Sequence, residues 1–341
     1  MSLVYISSTG YHAGQTLITW TIAERLRAKG LNPGFFKPFC ADPVLINGIR
    51  TDPDAFLFRE ILNIREPLEK ICPFTDPESI AGNQNQILDI IKKSAGHLLS
   101  GRDLLLIMGS KDIFFDGDLY SIPDVSVISE LNADVILVHR CRKISTTLYS
   151  ILSVHSLINK KIKGIIINRV PPDRVEEVER LIIPALNEKG IYNISFIPED
   201  PKLSSRRLEE ICAILDGKVI FGEDFLNNPV ERMSVGTTNL SGDLLLFKRV
   251  YNKIILLGPS NDFGIAGIIL TGGKEPGRQI LEAVKKSNIP LISIKENSLE
   301  ALERLENTTP SLSPADRIKA VHCAGIMDRN GSLNKLIDSI I

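Results

Sequence analysis

Buried strands set the first constraint on this chain. Short apolar runs rich in β-branched residues recur at Leu3–Ile6, Leu104–Met108, Val135–Val138, Ile165–Ile167, Lys253–Leu257 and Ile268–Leu270, without polar alternation. A strand that reads as a solid apolar run is covered on both faces, as in a parallel sheet flanked by helices. Amphipathic stretches lie between the runs. Thr16–Lys29 stops at Gly30, and Asp54–Leu62, Gln86–Leu99, Ser145–Ile158, Val175–Lys189 and Leu203–Leu215 follow. Strand and helix alternating at this spacing predict an α/β fold with a doubly wound, mostly parallel sheet and right-handed crossovers.

At 341 residues the chain is long for one core, so two domains are expected. The rhythm changes near Asp216. Gly217–Gly222 reads as one more strand, and Glu223–Asn228 is a polar connector ending at Pro229. The expected domains are therefore 1–222 and 223–341, the second a smaller α/β unit. Its predicted helices are Pro276–Ser287 and Leu299–Glu306, with a strand at Leu291–Ile294 and a surface loop at Asn307–Pro314. A parallel crossover takes about a dozen residues, whereas Gly258–Ala266 offers nine. The last two apolar runs are thus predicted to join without a full helix.

Composition narrows the function classes. Hydrophobic residues are 43% and charged residues 24%, a globular mixture, and the net charge of −1 is spread without a basic excess in either half. A nucleic-acid partner has no electrostatic footprint here, which points to a small molecule or another protein chain. Cys40, Cys72, Cys141, Cys212 and Cys323 are scattered with no C-x-x-C pair, the pattern of free thiols in a reducing cytosol. The start of the chain runs into Ser and Thr rather than an apolar leader core. No apolar run approaches the roughly 20 residues that span a bilayer. A soluble, cytoplasmic protein without a membrane partner is expected.

The stretch Ser8-Thr9-Gly10-Tyr11-His12-Ala13-Gly14-Gln15-Thr16 has the order that phosphate binding requires: a strand, a glycine-rich turn, then a helix N-terminus. The hydroxyl of Thr16 stands where such loops hold Mg²⁺. Against the pattern G-x-x-x-x-G-K-[ST], Thr9 takes the first glycine position and Gln15 takes the lysine. An ordinary strand–helix turn would read the same way, and the loop alone leaves both readings open. Further on, Thr271-Gly272-Gly273 follows a strand and precedes a helix, which suits a tight turn more readily than an anion nest.

Residues 1–215 resemble the dethiobiotin-synthetase-like P-loop family, and more closely the N-terminal region of long-form phosphotransacetylases. The likeness rests on the Ser8–Thr16 loop, Phe36-Lys37-Pro38, Gly164-Ile165-Ile166-Ile167-Asn168-Arg169-Val170 and Ile197-Pro198-Glu199-Asp200. Residues 216–341 resemble the DRTGG domain, chiefly through Ala266–Gly273, with Asn261-Asp262-Phe263 keeping the aspartate of its D-R pair. In phosphotransacetylases the acyltransferase domain follows; the sequence here ends at Ile341.

The resemblance implies a site for ATP or another nucleotide with Mg²⁺. Thr9, Gly10, Gly14, Gln15 and Thr16 would surround the phosphates, and Lys37 would lie near the transferred phosphoryl group or a carboxylate. Asn168 would read an adenine edge, and Asp54 would join Thr16 on the metal. In the second domain Asp262, Thr271, Gly272 and Gly273 would form a ligand loop. Beside these roles stand plainer ones: Lys37 as a solvated strand-end lysine, Asn168 as a turn cap, Asp52 and Asp54 as helix caps.

The third metal carboxylate of the family should follow the central strand, where Ile107-Met108-Gly109 has none and Asp112 replaces it only if the loop reorganises. The missing lysine and the missing carboxylate fall on the same triphosphate chemistry. Binding survives such losses better than turnover does. The sequence reading is therefore a nucleotide- or metabolite-binding regulatory protein, homo-oligomeric, acting on a separate phosphotransacetylase. An ATP-dependent carboxylate ligase is the alternative, and a structural oligomerisation protein the second alternative.

Overall fold

The computed structural model describes residues 2–76, 83–114, 122–158, 161–235, 254–258, 265–273, 275–308, 311–329 and 331–341. The chain divides into two compact units. The first is Met1–Glu199 with Ser311–Ile341, and the second is Asp200–Pro310. Where the sequence reading put one boundary near Gly222, the chain leaves the first unit after Glu199 and returns to it at Ser311.

The first unit is built on six parallel strands: β1 (Ser2–Ser8), β2 (Pro33–Phe36), β5 (Leu104–Met108), β6 (Asp134–Arg140), β7 (Ile162–Val170) and β8 (Ile194–Pro198). Their order is β2-β5-β1-β6-β7-β8. Val4–Ile6, Leu104–Met108 and Val135–Val138 are buried throughout, as solid apolar runs require. The order reverses about β1, and in such sheets the carboxyl ends of the strands at that point open the ligand crevice. A small hairpin of β3 (Val44–Ile46) and β4 (Ile49–Thr51) lies apart from this sheet.

The helices of the first unit include α1 (Gln15–Ala28), α2 (Pro53–Ile61), α3 (Leu68–Ile71), α4 (Gln84–Leu99), α5 (Asp124–Leu131) and α6 (Ile144–Leu157). The helix predicted over Val175–Lys189 is present from Val175 to Asn187, with a π-helical stretch over Val178–Ile182 and Pro184 just beyond it. Proline lacks the N–H that a regular α-helix would use there.

The returning C-terminal segment forms helices Arg317–Arg329 and Ser332–Asp338. The first of these lies along α1, where Thr21 Oγ1 donates to the Ala320 carbonyl at 3.4 Å and Arg317 grips both carboxylate oxygens of Glu24 at 3.1 and 3.0 Å. Arg25–Asp328 and Lys29–Asp338 pair alongside. Exposed pairs add little; burial of Ala320, Cys323, Met327, Leu333 and Leu336 stabilises the packing more. Gly164 in β7 is required by the same packing, because a Cβ there would sit 2.1 Å from Leu336 Cδ1.

In the second unit five strands run β10 (Lys218–Phe221), β15 (Leu291–Ser293), β14 (Gly267–Leu270), β13 (Ile254–Gly258) and β12 (Arg232–Val235) across the sheet. Two residues at β9 (Arg206–Arg207) pair with two at β11 (Pro229–Val230) separately. β14 and β15 are parallel and β13 and β14 pair antiparallel, so no parallel crossover separates β13 from β14. Residues 259–264, on which the expected helix-free link falls, lie outside the described residues. Leu208, Ile255, Leu257, Ile269 and Ile292 form its core. Among the described residues no helix of the chain is long and apolar enough to cross a membrane.

Candidate functional site

β1 ends in the loop at the switch point, and α1 begins immediately after Gly14. Gly14 adopts φ 89°, a left-handed conformation that glycine alone takes freely. No side chain caps α1 and its first turn has no acidic residue. Among the described residues the backbone N–H groups of Gly14, Gln15 and Thr16 have no acceptor, so successive donors and the positive helix end face outward together. The loop is braced from within. Thr9 N donates to the Val138 carbonyl at 3.3 Å and Ser8 Oγ to the Gly10 carbonyl at 2.9 Å.

The structure places the expected residues in two groups. Thr16 Oγ1 donates to Asp54 Oδ1 at 2.9 Å across 38 residues of sequence, which joins the two groups expected on Mg²⁺. Those two oxygens could contribute to an octahedral Mg²⁺ site only with water and phosphate oxygens completing it. Asp52 is the N-cap of α2, with Oδ1 accepting from Asp54 N and Oδ2 from Ala41 N, both at 2.9 Å. Gln15 turns inward, its Nε2 donating to the Ile6 carbonyl at 2.7 Å. Asn168 also faces the loop from beneath: Nδ2 donates to the Ala13 carbonyl at 2.7 Å and Oδ1 accepts from Arg169 N. Its amide thus holds the loop that the resemblance had it serving from the base side.

Lys37 is not a solvated lysine. It is 1% exposed, donates to the Gly109 carbonyl at 3.3 Å and lies 3.7 Å from Asp54 Oδ2. Burial alone would pull its pKa down, but Asp52 and Asp54 outweigh that and raise it, so the ammonium is locked in its charged form. Asp54 is raised to about 6, first by burial and next by the Asp52 charge, against the pull of Lys37 and Thr16. Met108 is buried in register with Ile6, and a glutamate there would point a carboxylate into the core.

Three contributors escaped the sequence reading. Asp124 begins α5, is buried, and accepts from Ser110 N at 3.1 Å; burial raises its pKa against the stabilising bonds of Tyr5 and Ser110. Its Oδ2 would stand 2.4 Å from a Cβ on Gly109, so this position has no room for a side chain. His139, at the end of β6, joins Thr9 Oγ1 through Nδ1 at 2.6 Å and Thr147 Oγ1 through Nε2 at 3.2 Å. Burial, aided by the charge of Arg142, lowers its pKa to about 4, so it is neutral near pH 7. Arg142 itself reaches over Gly10. No local sequence signal marks these residues; the Thr9 partner of His139 lies 130 residues away in sequence.

The glycine pair of the second unit is differently occupied. Gly272 N donates to the Glu296 carbonyl and Gly273 N to the Ile294 carbonyl, both at 2.8 Å, and Thr271 Oγ1 meets Ser298 Oγ at 3.3 Å. These donors close a turn within the fold. Asp262 lies outside the described residues. Among the described residues no group of three or more His, Cys, Asp or Glu is arranged to hold a metal ion.

Comparison with known proteins agrees with this architecture. Residues 3–207 match the AAA domain family and residues 210–308 the DRTGG domain. Phosphate acetyltransferase of Synechocystis sp. is 25% identical over 367 residues, covering 99% of this chain and 51% of that protein. ATP-dependent dethiobiotin synthetase of Clostridium perfringens is 27% identical over 228 residues, covering 63% of this chain and 98% of that protein. The chain spans about half the length of the phosphate acetyltransferases it matches. Among solved structures, MinD from Pyrococcus horikoshii complexed with Mg-ADP is 18% identical, covers 59% of this chain and 83% of its own, and superposes with a TM-score of 0.35.

Proposed function

The chain belongs to the AAA domain family and carries a DRTGG domain behind that domain, and on this premise we propose that it is a nucleotide-binding regulatory protein with little ATP turnover. The observation that carries the reading is the contrast at the loop. The N–H groups of Gly14, Gln15 and Thr16 stand without acceptors among the described residues at an uncapped helix start, while Gln15 and Lys37 are both bonded internally. Donors suited to phosphate are present, and the mobile lysine that would follow charge into a transition state is absent. Thr16 and Asp54 would hold the Mg²⁺ that arrives with the nucleotide.

The nucleotide would act through a protein partner, namely a separate phosphotransacetylase or further copies of this chain associating through the DRTGG domain. Titration calorimetry with ADP and ATP tests the premise directly. Weak binding with negligible phosphate release is expected, and Gln15→Lys should tighten binding about tenfold by restoring a cation beside the phosphates. Met108→Glu should cost stability rather than build a metal ligand, because that side chain is buried. Vigorous ATP turnover by the wild type would instead favour the second reading, an ATP-dependent carboxylate ligase. That reading draws on the near-complete coverage of dethiobiotin synthetase by this chain.

A further inference from the structure

We propose that Arg142 is the phosphate-binding cation of the loop, reaching in from the strand next door to fill the role left open at Gln15. The inference rests on the nucleotide reading given above and extends it to a residue outside the loop motif. Arg142 follows β6, the neighbour of β1, at the carboxyl end of the sheet. Its main chain is fixed on both sides: the N–H donates to Thr147 Oγ1 at 3.1 Å, and the carbonyl accepts from Arg174 Nη1 at 3.2 Å. Its side chain is exposed, and the guanidinium makes no hydrogen bond or ion pair with any described residue.

The guanidinium nevertheless has a defined position. Nη2 lies 3.5 Å from the point where a Cβ on Gly10 would stand, directly over the loop. Its charge is felt at the buried His139 ring, whose pKa it helps to lower. Two other cations near the loop are engaged. Lys37 is buried against Asp54 and the Gly109 carbonyl, and Lys111 pairs with Asp42. The Asp112 carboxylate, 3.8 Å from the same Gly10 point, would repel a phosphate unless a cation stood beside it. A planar guanidinium with open donors supplies that cation and can hold two phosphate oxygens at once.

The test is titration of the full chain with ADP in the wild type, Arg142→Ala, Arg142→Lys and, as a neighbouring charge control, Lys143→Ala. Arg142→Ala should weaken ADP binding about ten- to a hundredfold, Arg142→Lys should recover part of the loss, and Lys143→Ala should stay within about twofold of wild type, the size of a surface effect. The ligand-free melting temperatures of all four should agree, because the guanidinium supports no contact in the fold. Equal ADP affinity in wild type and Arg142→Ala overturns the assignment and leaves the nucleotide reading standing. No ADP binding by the wild type overturns that reading and the assignment together.

Discussion

Each unit of this chain makes a glycine turn after a buried strand, and the two turns do opposite things with their backbone. At Gly14–Thr16 the N–H groups are left without acceptors among the described residues, near the buried Lys37, Asp52 and Asp124 and the half-buried Asp54. At Gly272–Gly273 the N–H groups close on the carbonyls of Glu296 and Ile294. The letters are alike, so what separates an anion site from a turn is where the neighbouring chain puts its carbonyls. Charge is stored just as unevenly: beneath the first turn, and nowhere comparable among the described residues beneath the second.

The largest expected effect breaks that stored charge. Lys37→Met leaves the buried Asp52 and the half-buried Asp54 beside an apolar side chain, and removing one partner of a buried pair costs about 3–5 kcal/mol. Urea denaturation should read this loss, while Lys295→Met, an exposed lysine beside the second turn, should move stability by less than about 0.5 kcal/mol. Equal effects would erase the contrast.

Alanine at the glycines sharpens the same comparison. Gly14 at φ 89° would place a Cβ 2.3 Å from Asn168 Nδ2, so strain is added to a broken Asn168–Ala13 hydrogen bond. A loss of about 2–4 kcal/mol is expected there. Gly272 has φ 83° but no atom within 4 Å of its Cβ position, so Gly272→Ala should show the backbone strain alone, about 1–2 kcal/mol. Thermal melts of the two variants suffice, and a costlier Gly272→Ala would contradict the packing described.

The smallest net effect depends on pH, because two groups titrate in opposite senses. His139 has its pKa lowered from 6.5 to about 4, so the unfolded chain takes up a proton first and stability falls as pH drops below 6.5 toward 4. From pH 7 to 5 this amounts to about 2 kcal/mol. Asp54, raised to about 6, works in the opposite sense: the native state holds its proton longer, so its contribution improves as pH falls through 6. Without Mg²⁺ the two slopes oppose each other, and His139→Gln should turn the wild-type profile toward greater relative stability at pH 5. An unchanged profile would mean that the Thr9–His139–Thr147 chain does not exclude a proton.

Much of the first sheet was readable from the chain itself. Leu104–Met108 and Val135–Val138 announce buried parallel strands because every side chain in them is apolar, and no other fold hides both faces so thoroughly. Thr16 and Asp54 were paired only through resemblance, since 38 residues separate them. Asp124 and Arg142 carried no local signal, because their positions follow from strand order rather than from neighbours in sequence. Residues 311–341, which hold the C-terminal helices, were assigned with the rest of 223–341 to the second domain for a related reason. An amphipathic helix declares that it needs a partner and does not say which one.

The return of those helices to the first unit has a consequence for how the protein is made. The chain completes residues 200–310 before Arg317–Asp338 exists, yet Thr21 and Glu24 of α1 take partners from that segment. On the ribosome the second unit can therefore finish first, although it begins later. The helix that presents the loop is synthesised before the second unit and enclosed after it.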